Sequence, residues 1–143
     1  SFLPNYPHYF DHTPTDKDDK IFYNCELNNN DMLVKLLFYK AQKTINKKLN
    51  LVRTHFNVQH PGMDGGWHVD NSQISFVYMV TQTLNKKEGT FQAKINNKIK
   101  TINFVKNRLF FDSDILHRGN APLLNSKKSV NARITFTLKA NYD

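Results

Sequence analysis

The stretch Gly65-Gly66-Trp67-His68-Val69-Asp70 carries the pattern from which the fold and a metal site are predicted. On an extended strand, residues two apart point to the same face, so the His68 imidazole and the Asp70 carboxylate can reach one metal ion together. His117 follows far enough along the chain for several strands to go out and return. The sequence therefore predicts His68, Asp70 and His117 as metal-ligating and catalytic residues.

Further stretches accompany these ligands in a fixed order. They are Ser75-Phe76-Val77-Tyr78, Glu88-Gly89-Thr90-Phe91, Asn107-Arg108-Leu109-Phe110-Phe111-Asp112 and Arg133-Ile134-Thr135-Phe136-Thr137. Two histidines and one carboxylate are the facial triad of non-haem Fe(II) oxygenases. From about Leu51 to Ala140 the sequence resembles the Fe(II)/2-oxoglutarate-dependent oxygenases, most closely the small prolyl-4-hydroxylase-like members. Carboxylate and imidazole suit Zn, Mn or Ni as well, so the iron assignment rests on the resemblance.

Composition is consistent with one domain, residues 1–143. The chain is 39% hydrophobic and contains 11 Phe and 6 Tyr, which favour β structure. The lone cysteine, Cys25, excludes an internal disulfide and fits a reducing compartment. No apolar run reaches membrane-span length and no signal pattern opens the chain, so we expect a cytoplasmic protein without a membrane partner.

The net charge of +8 makes an acidic or nucleic-acid partner conceivable on electrostatic grounds. The lysines, however, are scattered along the chain rather than gathered in one stripe. They include Lys40, Lys43, Lys47, Lys48, Lys86, Lys87, Lys127 and Lys128. This distribution favours solvated faces and loop tips over a nucleic-acid surface.

The first 50 residues are predicted to form an N-terminal segment and a supporting helix. Residues 1–20 contain three prolines and an acidic run, which indicate irregular structure, with one edge strand at Ile21-Phe22-Tyr23. Asn30 or Asp31 can cap a helix that runs to about Leu49. Its apolar stripe comprises Leu33, Leu37, Ala41, Ile45 and Leu49, widened by Val34 and Phe38. We interpret this helix as a buttress against a sheet.

Residues 51–140 are predicted to form the β core. Two stretches alternate strictly: 51–59 carries Arg53, His55, Asn57 and Gln59 on one face, and 132–140 carries Arg133, Thr135, Thr137 and Lys139 on one face. The other predicted elements are a loop at 60–66, a strand at 73–82, a hairpin at 95–99, a buried strand at 108–111 and a polar loop at 121–130. Short strands with tight turns predict a mainly β sandwich or jelly roll. The resemblance implies the double-stranded β-helix, or cupin-like, version.

The resemblance also implies a set of cosubstrate contacts. Arg133 takes the place of the arginine that pairs with the distal carboxylate of 2-oxoglutarate, with Arg118 as the rival cation. Thr135 and Tyr78 are predicted to add hydrogen bonds, and Asn57 to contact cosubstrate or substrate. The implied cofactors and cosubstrates are Fe(II), 2-oxoglutarate and O₂, with ascorbate as an accessory reductant.

Three functions compete on the sequence. The first is hydroxylation of a peptidyl proline or another peptide residue, with release of succinate and CO₂ and a peptide or protein as the partner. The second is oxidative demethylation of nucleic acid, since the closing strand of such enzymes reads Arg-x-Asn-x-Thr-x-Arg and this chain matches it at Arg133 and Thr137. The third is a non-enzymatic cupin-like metal-binding module. We predict the first of these.

Overall fold

The structure is a computed structural model that describes residues 10–14, 21–81, 90–102, 108–123 and 132–143. The described residues form one helix and nine strands. They are β1 Phe10–Pro14, β2 Ile21–Glu26, α1 Met32–Ile45, β3 Leu49–Gln59, β4 Ile74–Met79, β5 Phe91–Ile95, β6 Lys98–Ile102, β7 Arg108–Asp112, β8 His117–Gly119 and β9 Arg133–Tyr142. The prediction of a mainly β protein with one supporting helix is confirmed.

The strands form two antiparallel sheets. The larger sheet has the order β1-β2-β3-β9-β4-β7, and the smaller has the order β6-β5-β8. Aromatic rings join the sheets: Phe91 of β5 lies 4.9 Å from Phe111 of β7, measured between ring centroids. The space between the sheets is therefore closed by aromatic packing at this point.

Strands β3 and β9 form the longest ladder, running from Leu49 opposite Tyr142 to Gln59 opposite Arg133, with one irregularity near Leu51. Phe56 pairs with Phe136 on the face that packs into the apolar core, with ring centroids 5.2 Å apart. The two predicted polar faces lie on the opposite side of this sheet and line one cavity. The alternation read from both stretches is confirmed.

Helix α1 covers the core side of the large sheet. Asp31 is the N-cap, and its side chain accepts a hydrogen bond from the Leu33 backbone N–H at 2.9 Å. The helix ends at Ile45 because Asn46 adopts a left-handed conformation, φ 54°. The predicted end at Leu49 is wrong, since Leu49 already begins β3.

The buried stripe of α1 differs from the predicted one. Val34 and Ala41 are buried, and Leu37, Phe38 and Ile45 pack against the core. Leu33 instead lies on the exposed side. The predicted role of α1 as a buttress is confirmed. Among the described residues, no helix is both long and apolar enough to cross a membrane.

Two strand predictions need correction. Phe10–Pro14, expected to be irregular, forms β1 and pairs with β2, so β2 lies inside the sheet instead of at its edge. Strand β7 is the last strand of the large sheet in the described part of the chain, and Phe110 is 53% exposed. The expectation of a buried strand there is wrong because only one neighbouring strand covers β7.

The predicted hairpin is confirmed: Asn96 and Asn97, with φ of 53° and 61°, connect β5 to β6. Strand β4 is shorter than predicted and ends at Met79. The remaining predictions on 1–9, 15–20, Gln82, Glu88-Gly89, Asn107 and most of the 121–130 loop lie outside the described residues.

Candidate metal centre and cavity

The two predicted ligand histidines are held opposite each other by backbone pairing. His68 and His117 form an isolated antiparallel bridge. The His68 backbone N lies 3.0 Å from the His117 carbonyl oxygen, and the His117 backbone N lies 2.9 Å from the His68 carbonyl oxygen. Asp70 lies beyond the bridge in an irregular segment, where its N–H donates to the Ser113 carbonyl at 2.9 Å. The expectation that one continuous strand presents both His68 and Asp70 is therefore wrong, although the two side chains do meet.

The three donor groups converge on one point. Asp70 Oδ1 lies 3.5 Å from His68 Nε2, and Asp70 Oδ2 lies 3.5 Å from His117 Nε2. One donor atom from each residue falls within 4.8 Å of the others. At these separations, one metal ion could contact all three donor atoms.

The histidine tautomers also suit metal binding. His68 Nδ1 lies 2.8 Å from the Gly66 carbonyl oxygen, and His117 Nδ1 lies 2.7 Å from that of Ile115. Because a carbonyl can only accept, each Nδ1 must carry the proton, which leaves the Nε2 lone pairs pointing toward Asp70. The donor set therefore fits a divalent metal.

Asp70 is held as an anion by its surroundings. Burial by itself would raise the pKa of Asp70, but the contacts with His68, Lys139 and Ser75 outweigh burial and hold that pKa well below its ordinary value. Ser75 Oγ donates to Oδ2 at 2.6 Å, and Lys139 Nζ lies 3.0 Å from Oδ1. Ser75 and Lys139 are register partners on β4 and β9, which explains why both reach the same carboxylate.

The two histidines respond differently to this environment. Burial favours the neutral form of both, yet hydrogen bonding to Asp70 and to Gly66 raises the pKa of His68. The pKa of His117 is lowered, chiefly by burial. Phe111 and Phe91 flank the His117 ring, with centroids 4.6 and 5.5 Å away, so this side of the cluster is apolar.

A cavity of about 260 Å³ adjoins the cluster. Strands β3 and β9 supply its polar wall, which comprises Arg53, His55, Asn57, Gln59, Arg133, Thr135, Thr137 and Lys139. Asp70 is the single carboxylate among the described residues that line it. The cavity therefore combines a metal-ligand cluster with an excess of positive charge.

Arg133 lies in this cavity as predicted and is 3% exposed. Burial lowers its pKa to about 10, which still leaves the guanidinium charged at neutral pH. Thr135 and Asn57 share the cavity with it. Within the part of the chain that the structure describes, the buried atoms Asn57 Oδ1 and His55 Nδ1 have no hydrogen-bond partner in the protein.

Arg118 and Tyr78 lie away from the cavity. Arg118 donates from Nε to Gln92 Oε1 at 2.8 Å, and its guanidinium carbon lies 4.7 Å from the Trp67 ring centroid. Tyr78 pairs with Phe136 and packs on the core side of β4. The prediction that Tyr78 hydrogen-bonds the cosubstrate is corrected, because β4 turns Val77, and not Tyr78, toward the cavity.

Sequence reasoning missed three contacts at this site. Alternation puts Lys139 on the face of Arg133 but does not predict its pairing with Asp70. Ser75 lies in a predicted strand, and nothing in that pattern indicates that it donates to Asp70. Alternation also puts Gln59 on the polar face, and the structure adds that it accepts a hydrogen bond from Arg133 Nη1 at 2.6 Å. Period-2 alternation indicated the face for Lys139 and Gln59, but no sequence pattern indicated the partner.

Two antiparallel sheets, with the cavity and the His-Asp-His cluster between them, give the chain the architecture of the double-stranded β-helix class. No protein-family profile and no curated protein matches this sequence. Solved structures do match. An oxidoreductase of the 2OG-Fe(II) oxygenase family from Burkholderia pseudomallei aligns over 97% of this chain and 75% of its own, with a TM-score of 0.71 and 12% identity.

Two prolyl hydroxylases match in the same way. The Pseudomonas putida prolyl-4-hydroxylase aligns over 92% of this chain and 78% of its own, with a TM-score of 0.64 and 12% identity. The viral collagen prolyl hydroxylase of Paramecium bursaria Chlorella virus 1, solved as a 2OG complex, aligns over 83% and 77%, with a TM-score of 0.63 and 13% identity. The chain therefore has the fold of these oxygenases, and the predicted fold class is confirmed.

Proposed function

We propose that residues 1–143 are a single Fe(II)- and 2-oxoglutarate-dependent dioxygenase domain. The observation that carries this proposal is the convergence of His68, Asp70 and His117 beside a cavity that also contains the buried cation Arg133. A facial set of two imidazoles and one carboxylate leaves open positions on the metal, as oxygen-activating iron sites require.

His68, Asp70 and His117 would hold the metal. Fe(II) bound there would supply the activation of O₂ and the oxidative decarboxylation of the keto acid to succinate and CO₂. The chain supports this site with protonated Nδ1 atoms that fix both imidazoles, and with Ser75, which orients Asp70. The aromatic rings at Phe91 and Phe111 exclude water from one side of His117.

Arg133 would bind the distal carboxylate of 2-oxoglutarate. A guanidinium presents paired N–H donors that match a carboxylate, and Arg133 is a buried cation in the wall of the cavity. Thr135 and Asn57 line the same cavity and would add neutral hydrogen bonds. A volume of about 260 Å³ suits a small dicarboxylic acid and lies just below the range typical of drug-sized ligands.

For the substrate we propose a peptidyl proline or another peptide residue, hydroxylated at a C–H bond. Support comes from the fold shared with two proteins described as prolyl hydroxylases. A second candidate, oxidative demethylation of nucleic acid, is favoured by one observation: Arg133 and Thr137, which match the demethylase pattern on β9, both face the cavity. Lys139, which stands where that pattern has a second arginine, faces it too. Both candidates share the same metal site and cosubstrate.

The first test is whether the protein with Fe(II) forms succinate from 2-oxoglutarate. The second measures the masses of the products formed from proline-rich peptides and from methylated oligonucleotides. We expect a peptide product heavier by one oxygen atom, and loss of turnover in His68→Ala. His60→Ala, a substitution in the exposed loop before the cluster, is the matched control and should retain activity. Detection of a demethylated oligonucleotide would instead support nucleic acid as the substrate. Metal binding without any keto-acid-dependent O₂ uptake would indicate a cupin-like binding module instead.

A further inference from the structure

The Gln59 side chain contacts the Arg133 guanidinium. Arg133 Nη1 donates to Gln59 Oε1 at 2.6 Å, and both residues are 3% exposed. Gln59 ends β3 directly opposite Arg133 at the start of β9, so the two side chains leave the sheet side by side. The bond is therefore built into the sheet register.

The other end of the Gln59 amide is also committed. Nε2 donates to the Met63 carbonyl at 2.8 Å and to the Gly119 carbonyl at 2.9 Å. A reversed amide would set its oxygen against two carbonyl oxygens and its NH₂ against a guanidinium, so only one orientation is compatible with these partners. Gln59 thus joins Arg133 to the loop before His68 and to the strand that carries His117.

Gly119 allows this arrangement because it has no side chain. A Cβ built at Gly119 would lie 2.9 Å from Arg133 Nη1 and 3.5 Å from Gln59 Oε1. The guanidinium therefore packs directly against the backbone two residues after the ligand His117. Its position relative to the metal cluster is set by short, buried contacts.

We propose that Gln59 is a positioning residue that aims Arg133 at the distal carboxylate of the keto acid without neutralising its charge; this rests on the proposed function. A neutral amide orients the guanidinium through one N–H and adds no negative charge beside it. A carboxylate in the same place would satisfy the same N–H but would compete with the dicarboxylate for the cation. The neutral amide is therefore the feature that keeps the cavity selective for a dianionic keto acid.

The test uses calorimetry on the parent, Gln59→Glu and Gln59→Met. Mn(II) is first titrated into the metal-free protein, and the Mn(II)-loaded protein is then titrated with 2-oxoglutarate or with 2-oxobutanoate, which lacks the distal carboxylate. Gln59→Glu should weaken 2-oxoglutarate by about tenfold or more, with Mn(II) and 2-oxobutanoate changed less than about threefold. Gln59→Met, which adds no negative charge beside Arg133 but removes the hydrogen bond that orients it, should weaken 2-oxoglutarate binding by a smaller factor.

The outcomes separate this inference from the proposed function. If the parent fails to bind 2-oxoglutarate, the proposed function is wrong and the inference falls with it. If the parent binds it and Gln59→Glu binds it equally well, only the inference is overturned. Equal weakening of both keto acids would also overturn it, because that result indicates general damage to the cavity. Should Gln59→Glu not fold, Gln59→Met decides: unchanged 2-oxoglutarate affinity refutes a positioning role.

Discussion

Replacement of Arg133 by Met probes the proposed cosubstrate site most directly. Met has similar length and no charge, so the variant removes the cation while largely filling its space. Arg133 is 3% exposed and its pKa of about 10 keeps it charged at neutral pH. A hydrogen bond to a charged group contributes about 1.5–3 kcal/mol, so the affinity for 2-oxoglutarate should fall roughly ten- to a hundredfold.

The same substitution should leave the metal cluster intact. Arg133 makes no described contact with His68, Asp70 or His117, so Mn(II) affinity should change little. It does leave Gln59 Oε1 without its donor at 2.6 Å, which costs about 1–3 kcal/mol of folding stability and should lower the melting temperature. Calorimetry with Mn(II) alone and then with 2-oxoglutarate separates the two effects.

Arg118→Met is the matched control for Arg133→Met. Arg118 is bonded to Gln92 and lies over Trp67, outside the cavity wall. Its removal should therefore leave 2-oxoglutarate affinity within about twofold of the parent. If Arg118→Met weakens 2-oxoglutarate and Arg133→Met does not, the wrong arginine has been assigned and the reasoning from the cavity fails.

Three further predictions concern the charge, the protonation and the packing of the cavity. Lys139 and a divalent cation compete for Asp70 Oδ1. Lys139→Met removes a like charge next to the cation, which should stabilise bound Mn(II) by about 1 kcal/mol or more and so strengthen its binding at least about fivefold. Weaker Mn(II) binding in this variant would show that the lysine supports the ligand instead. Burial, followed by the positive charges nearby, holds the pKa of His55 in the folded protein well below its ordinary value. As the pH falls below about 6.5, His55 therefore becomes protonated in the unfolded chain but stays neutral in the folded protein. Folding stability should therefore decrease on acidification by about 1.4 kcal/mol per pH unit from this residue, and urea titrations of the metal-free protein should show a shallower decrease in His55→Gln. Gly119→Ala would place a Cβ 2.9 Å from Arg133 Nη1, and because a guanidinium can move, we expect roughly tenfold weaker 2-oxoglutarate binding with little loss of melting temperature.

The pH prediction has its own control. His60 lies in an exposed loop, whereas His55 is buried in β3. His60→Gln should therefore keep the parent's decrease in stability below pH 6.5. Equal slopes for the parent and His55→Gln would contradict the assignment of a buried neutral histidine.

Local features of this chain were predictable from sequence because their physics is local. Asn30 and Asp31 before an apolar helical stripe predicted an N-cap at one of the two, and the structure selects Asp31. Two adjacent asparagines predicted the β5–β6 turn. Strict alternation in β3 and β9 predicted which residues share a face, since the period of an extended chain is two. The spacing of His68, Asp70 and His117 predicted that these three side chains meet, as they do in the structure.

The sheet register was decided only by the tertiary structure. The sequence around Tyr78 is compatible with either face of β4 pointing to the core. The pairing of Tyr78 with Phe136 decides this, and Tyr78 packs against the core. The end of α1 was missed because Leu49 continues the helical spacing, whereas its pairing with Tyr142 in β3 stabilises the extended chain instead. In both cases a partner distant in sequence determined the outcome.

The contacts that complete the site have the same origin. Ser75 and Lys139 meet at Asp70 because β4 and β9 pair in one register, and Gln59 meets Arg133 because β3 and β9 pair in another. A shift of one residue in either ladder would turn these side chains to the opposite face. Sequence alone therefore predicted the three candidate metal-binding residues and determined the polar faces. Strand pairing determined which charged and amide groups meet within the cavity, because hydrogen-bond register is a property of two strands together.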